Sequence, residues 1–255
     1  MFDTHIHLDQ YSESQIRHII QNPKLAGVLA VATDLSSNQR LLALKRQFPH
    51  IHIAAGFHPE QQLPSPTEQR QLFEWIAKNH QDLTACGEVG LPYYLKREQP
   101  NLDYQPYIEL LERFIVLCKR YDLPINLHIV YDDTEIALKL LAKHQIQKAH
   151  FHWFKASDKW LGELLKTPYF VSVNPDVLTN PKVQRVVECF PLERIMIETD
   201  GPWRHEGFDV TDISGQLKAV IRKIAEIKGV ALTAVSGQIE RNTAYFYHTS
   251  GLICR

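Results

Sequence analysis

Polar and apolar positions alternate through the first nine residues. Phe2, Thr4, Ile6 and Leu8 interleave with Asp3, His5, His7 and Asp9, the two-residue period of a strand. Ser12-Glu13-Ser14-Gln15 then has the spacing of a capping box, and Ile16, Ile19 and Ile20 mark one helical face up to Asn22-Pro23. A short continuous apolar run follows over 26–32, as expected for a strand buried on both faces, with a helix from Ser37 to Phe48 behind it. Strand-like runs recur at 51–56, 83–90, 124–129, 148–152, 168–173 and 194–200. Between them the spacing predicts helices over 65–80, 103–121, 134–144, 157–165 and 181–189, and a long loop over 91–101. Two more helices, 212–228 and 232–247, follow the last strand.

Eight strands alternating with helices in a chain of 255 residues predict an α/β fold, a (β/α)8 TIM barrel forming one domain over 1–255. A doubly wound dinucleotide fold would need a Gly-rich turn after the first strand, where this chain has Leu8-Asp9-Gln10-Tyr11. Composition narrows the partners. Lys and Arg (28) balance Asp and Glu (29), which speaks against a long nucleic-acid duplex or a membrane surface. The N-terminus turns acidic and His-rich at once, and no apolar run approaches about 18 residues, so a soluble, cytoplasmic protein is expected. Cys86, Cys118, Cys189 and Cys254 form no C-x-x-C pair and read as core or near-surface thiols.

His5 and His7 share a strand face at roughly 7 Å spacing, so both rings can reach one cation. Alone, His-x-His describes a pair of surface histidines equally well. In a barrel of this kind, however, chemistry gathers at the carboxyl ends of the strands. That rule collects His5 and His7 from strand one, Glu88 from strand four, His128 from strand five, His152 from strand six and Asp200 from strand eight. Singly, the carboxylates could cap helices and the histidines could be hydrogen-bonded core residues. Together, four imidazoles and two carboxylates suit two divalent cations about 3.5–4 Å apart.

Asp3-Thr4-His5-Ile6-His7-Leu8-Asp9, Gly56-Phe57-His58-Pro59, Gly87-Glu88-Val89-Gly90-Leu91, Leu127-His128, His152-Trp153-Phe154, Glu198-Thr199-Asp200-Gly201-Pro202 and Asn242-Thr243 resemble, in order and along the whole chain, the TatD family of metal-dependent hydrolases. The resemblance implies an amidohydrolase-type barrel and a deoxyribonuclease, often 3′-to-5′ on single strands. It also implies that His5, His7 and Asp200 bind one metal and His128 and His152 the other, with Glu88 bridging. His58 would touch the substrate phosphate, and Asp200 would serve as general base. The metals would be Mg2+, Mn2+ or Zn2+.

The departures fall around the ligands. The family usually has Asp where this chain has Pro92, often Arg where it has Val130, His-Cys-Phe-Ser-Gly where it has His152-Trp153-Phe154-Lys155-Ala156, and Ser where it has Gly201. Lys155 is a candidate replacement for the lost positive charge, set against an exposed lysine at a loop start. Tyr93, Tyr94, Trp153 and Trp203 fall in rim loops, where they could stack unpaired bases or plug the barrel mouth. Gly-Leu-Pro, His-Trp-Phe and Thr-Asp-Gly-Pro are similar to the TatD-like component of Qat-type anti-phage systems, which implies protein partners in a defence complex for a chain otherwise expected to be a monomer. Two alternatives stand beside a nuclease: a metal-dependent esterase, amidase or small-phosphoester hydrolase, and an adaptor subunit with a vestigial site.

Overall fold

The computed structural model describes residues 1–248, which leaves Cys254 outside the described residues. Eight parallel strands follow one another around the sheet in chain order: β1 (Phe2–Ile6), β2 (Gly27–Val31), β3 (Ile51–Ala55), β4 (Ala85–Gly90), β5 (Ile125–His128), β6 (Ala149–Phe151), β7 (Phe170–Val173) and β8 (Ile195–Ile197). Just past the end of β8 the ring is drawn shut against β1. Asp200 donates its N–H to the His5 carbonyl at 3.0 Å, and His7 donates to the Gly201 carbonyl at 2.7 Å. The buried Asp3 carboxylate reinforces this seam by accepting the N–H of Thr199 at 3.1 Å and its hydroxyl at 2.5 Å. The fold is the (β/α)8 barrel that the alternation predicts.

The helices form the outer ring: α1 (Glu13–Ile20), α2 (Leu35–Gln47), α3 (Pro66–Asn79), α4 (Tyr93–Glu98), α5 (Gln105–Tyr121), α6 (Asp133–Lys143), α7 (Asp158–Leu165), α8 (Pro181–Cys189), α9 (Ile213–Lys228) and α10 (Leu232–Tyr247). None of the described helices is long and apolar enough to cross a membrane. The capping box at Ser12 and Gln15 forms, and a second one joins Ser65 to Glu68 with Pro66 in the first turn of α3. Helix α2 begins earlier than Ser37, because the Asp34 carboxylate accepts the N–H of Ser37 at 2.8 Å and caps it. The segment expected as a loop over 91–101 contains α4. Its first N–H groups are satisfied by the distant carboxylate of Glu60, which accepts from Tyr94 at 3.0 Å and from Leu95 at 2.7 Å. A cap supplied by tertiary contact leaves no local signal in the chain.

Strands and helices enclose a main apolar core between them, and Cys86 and Cys118 are buried in it as free thiols. A separate apolar cluster, including Phe2, Leu29, Ala85, Phe170, Met196 and Phe246, joins the strands to the end of α10. At the opposite end of the barrel β4 and β5 come very close. A β-carbon on Gly90 would lie 1.9 Å from the His128 carbonyl oxygen, so only glycine fits beside that ligand candidate.

Candidate metal centre and substrate cavity

All six residues expected at the carboxyl rim converge there, and their donor atoms fall into overlapping sets. His5 Nε2 lies 3.2 Å from Glu88 Oε2 and 3.4 Å from Asp200 Oδ1, and His7 Nε2 lies 3.3 and 3.4 Å from the same two oxygens. The other oxygen of Glu88 faces the second set: Oε1 is 2.8 Å from His128 Nδ1 and 2.7 Å from His152 Nε2. Glu88 thus offers one carboxylate oxygen to each group. His152 also closes on the first group, its ring stacked on His5 with centroids 3.8 Å apart, and His5, Glu88 and His152 form a third set able to hold a cation.

His5 Nε2, Glu88 Oε2 and Asp200 Oδ1 are buried and have no hydrogen-bond partner among the described residues. Unpaired buried polar atoms are costly. Three of them converging from three strands, with imidazole and carboxylate chemistry, fit a divalent cation. Asp200 and Trp153 take left-handed backbone conformations, with φ of 53° and 37°, a strain that clusters at functional positions in folded proteins.

The electrostatics divide the cluster. Burial alone would depress the His7 pKa, but the Asp200 and Glu88 carboxylates outweigh it and hold the imidazole up to about 10. Burial would likewise raise Asp200, yet the adjacent imidazole of His7 and the charges of His5 and His152 bring it down to about 2. Glu88 is held well below the usual carboxylate range against its own burial, first by the charge of His152, then by that of His5 and a hydrogen bond from His128. These are carboxylates ionised at neutral pH, with imidazoles whose protons a cation can replace. Behind them, burial drives the Asp3 carboxyl up to about 8 despite its hydrogen bonds from Thr199 and His5.

His58 stands beside the second set, its Nε2 3.7 Å from Glu88 Oε1, and with Glu88 and His128 it could also hold a cation. Burial lowers its pKa to about 4, with Glu88 opposing and His128 and His7 adding to the effect, so it is a neutral imidazole. Glu60, which sequence reasoning passed over, accepts from His128 Nε2 at 3.2 Å while capping α4. Its one signal was its position two residues after His58. Asn126 was also missed: it lies two residues before His128, on the same strand face, and its Oδ1 is 3.0 Å from His5 Nδ1.

The cluster opens into a cavity of about 680 Å3 lined by Tyr94, Val130, Trp153, Lys155, Pro202 and Trp203 together with Glu60 and every ligand candidate except His5, which is fully buried beneath it. Lys155 is only 8% exposed, which corrects the picture of a solvated lysine at a loop start. Its Nζ sits 3.8 Å over the Trp153 ring, and burial lowers its pKa against the pull of Asp176, Asp200 and Glu198. The Trp153 indole N–H donates to Asp176 at 2.9 Å, and its edge meets Trp203, which is 58% exposed at the mouth. Tyr94 faces His128 from α4, which is therefore a helix at the rim and not a loop.

Known proteins share this architecture. The solved TatD homologue YjjV of Escherichia coli K12 superposes with a TM-score of 0.82 over 98% of both chains at 22% identity. By sequence, the chain is 56% identical over 248 residues to an uncharacterized metal-dependent hydrolase of Haemophilus influenzae, covering 97% of this chain and 99% of that one. It is 26% identical to the human deoxyribonuclease TATDN3, over 92% of this chain and 90% of that one. The family model for TatD-related DNases matches residues 2–248. With a match from one end of the described barrel to the other and a relative at more than half identity, the chain belongs to the TatD family of metal-dependent hydrolases.

Proposed function

We propose that this hydrolase is a two-metal deoxyribonuclease that shortens DNA from unpaired 3′ ends. What supports two cations is the placement of Glu88, one oxygen toward His5, His7 and Asp200 and the other toward His128 and His152. Bound there, Mg2+, Mn2+ or Zn2+ would activate water at neutral pH and neutralise charge on the phosphoryl oxygens. The residues divide the remaining work. Asp200, ionised down to about pH 2, takes the proton from the attacking water as general base. His58, neutral, donates a hydrogen bond to a non-bridging oxygen, and Lys155 contributes the positive charge in the cavity.

A DNA substrate is supported by the family and by the named deoxyribonuclease relative. An end rather than a duplex is supported by the cavity: at about 680 Å3 it has the size of a small-ligand site. Trp203 at the mouth can stack an unpaired base for about 1–3 kcal/mol. The Gly-Leu-Pro, His-Trp-Phe and Thr-Asp-Gly-Pro loops extend the proposal to anti-phage defence, which loss of protection on deleting the gene would test.

One observation favours a second reading. Lys155 is the one Lys or Arg among the described residues lining the cavity, and Val130 and Pro202 are apolar. Such a lining also suits a carboxylic ester, an amide or a small phosphoester. Rates on end-labelled single-stranded DNA, duplex DNA and an aminoacyl ester, measured on one preparation, decide between them. The nuclease reading expects single-stranded DNA to be fastest by a wide margin. A faster ester and inert DNA would replace it with the esterase.

A further inference from the structure

Beneath the candidate ligands lies a run of buried polar side chains that the hydrolytic reading does not use. His5 Nδ1 meets Asn126 Oδ1 at 3.0 Å. The Asn126 amide nitrogen lies 3.0 Å from His150 Nδ1 and 3.2 Å from the Tyr247 hydroxyl, which itself lies 2.6 Å from His150 Nδ1. On its far side, His150 Nε2 meets Ser172 Oγ at 2.6 Å, and Ser172 donates to Glu198 Oε2. Asn126, His150, Ser172 and Glu198 are fully buried, in a position where barrels of this kind ordinarily stack branched apolar residues.

The donor and acceptor roles along this run are forced. If His5 Nε2 is to face a cation, Nδ1 carries the hydrogen and Asn126 Oδ1 accepts it. The amide nitrogen must then donate toward His150 Nδ1 and Tyr247. His150 Nδ1, accepting from both the amide and the tyrosine hydroxyl, leaves its hydrogen on Nε2, which donates to Ser172. The Ser172 hydroxyl, accepting from His150, donates in turn to Glu198 Oε2. Every link points the same way, from His5 to Glu198. With the amide turned over, His5 would face nitrogen at Nδ1, and its Nε2 would carry the hydrogen and could not ligate.

We propose that Asn126, His150, Tyr247, Ser172 and Glu198 form a positioning chain that fixes the Asn126 amide and, through it, the tautomer and aim of His5. The inference rests on the metal reading of His5. None of the five residues need touch substrate. The carboxylate at the far end sets the hydrogen on a ring four links away, and α10 takes part through the hydroxyl of Tyr247.

The test reads tautomers and cation affinity. Long-range 1H–15N correlation on the Zn2+-loaded protein should show His5 protonated at Nδ1 and His150 protonated at Nε2 only. Ser172→Ala breaks the chain without contacting His5 and should weaken Zn2+ binding by about tenfold, the lower end for loss of a residue behind a metal ligand. Tyr247→Phe should weaken it in the same direction, and Asn126→Leu by the most. A merely structural role would lower the melting temperature without moving either tautomer or affinity. Wild-type protein that takes up no cation overturns the metal reading and this one with it. Wild-type uptake with the His150 hydrogen on Nδ1, or a folded Ser172→Ala protein with unchanged affinity and tautomers, overturns this inference alone.

Discussion

At one end of the barrel, Phe2, Ala85, Phe170 and Met196, at or next to the first residues of their strands, pack with Phe246 of α10 into a closed apolar cluster. At the other end, the same strands β1, β4 and β8 lead to His5, Glu88 and Asp200, where buried polar atoms face one another unpaired. The contrast follows from what each end does. The apolar end gains from every group removed from water. The polar end holds ionised and strained groups at a cost, which a bound cation and substrate would offset. Stability and chemistry therefore occupy opposite ends of one set of strands, and substitutions at the two ends should have opposite signatures.

The largest effect should come from the polar end. His5→Ala is expected to lower hydrolysis by at least about 10^3-fold, the scale of removing one member of a catalytic unit. Its urea midpoint should change little, because the cost of burying the unpaired Nε2 is removed together with the imidazole's attraction to Glu88 and Asp200. Leu29→Ala should invert that signature. Leu29 is fully buried in the apolar cluster on β2, a strand that supplies no candidate ligand. The change should cost about 2–5 kcal/mol in urea unfolding and leave the turnover of the folded protein unaltered.

Cation binding should close part of the gap between the ends. At a free concentration about 100-fold over its Kd, Zn2+ or Mn2+ should raise the unfolding free energy by about 2.7 kcal/mol, seen as a thermal shift that chelator reverses. The His5→Ala protein should lose most of that shift. A smaller effect concerns Asp133, near the rim on α6, whose carboxyl burial raises to about 6 although Tyr104 donates to it. Its folded pKa lies above its unfolded value, so the folded state holds the proton longer and stability falls as pH rises from about 4 to about 6. Asp133→Asn should flatten that window and gain on the order of 2 kcal/mol relative to the native chain at pH 8. Urea titrations at pH 4 and pH 8 read the difference directly.

The strands and the six ligand candidates were legible because two simple periods carry them. Alternation places His5 with His7, and the rule that barrel chemistry sits at strand ends gathers Glu88, His128, His152 and Asp200. The same period of two, read one step earlier on each strand, would also have found Asp3, Asn126, His150 and Glu198. Four polar residues each two positions before a candidate ligand are a pattern, though each alone passes for ordinary strand polarity. Glu60 and α4 were not legible. Each explains the other through a contact between segments more than thirty residues apart, and α4 lacks a local cap. The burial of Lys155 was hidden for a similar reason: what covers it is the Trp153 ring and the cavity wall, which the local sequence does not describe.

The division between the two ends is tested most directly by titrating metal-free protein with Mn2+ while following cleavage of end-labelled single-stranded DNA, with Asp200→Asn beside the native chain. The native protein should be inert in chelator and gain activity up to two equivalents of cation. The Asp200→Asn protein, folded and as stable as the native chain or more so, should stay inert throughout. Cleavage that persists in excess chelator, or an Asp200→Asn protein that cleaves at the native rate, would contradict the account.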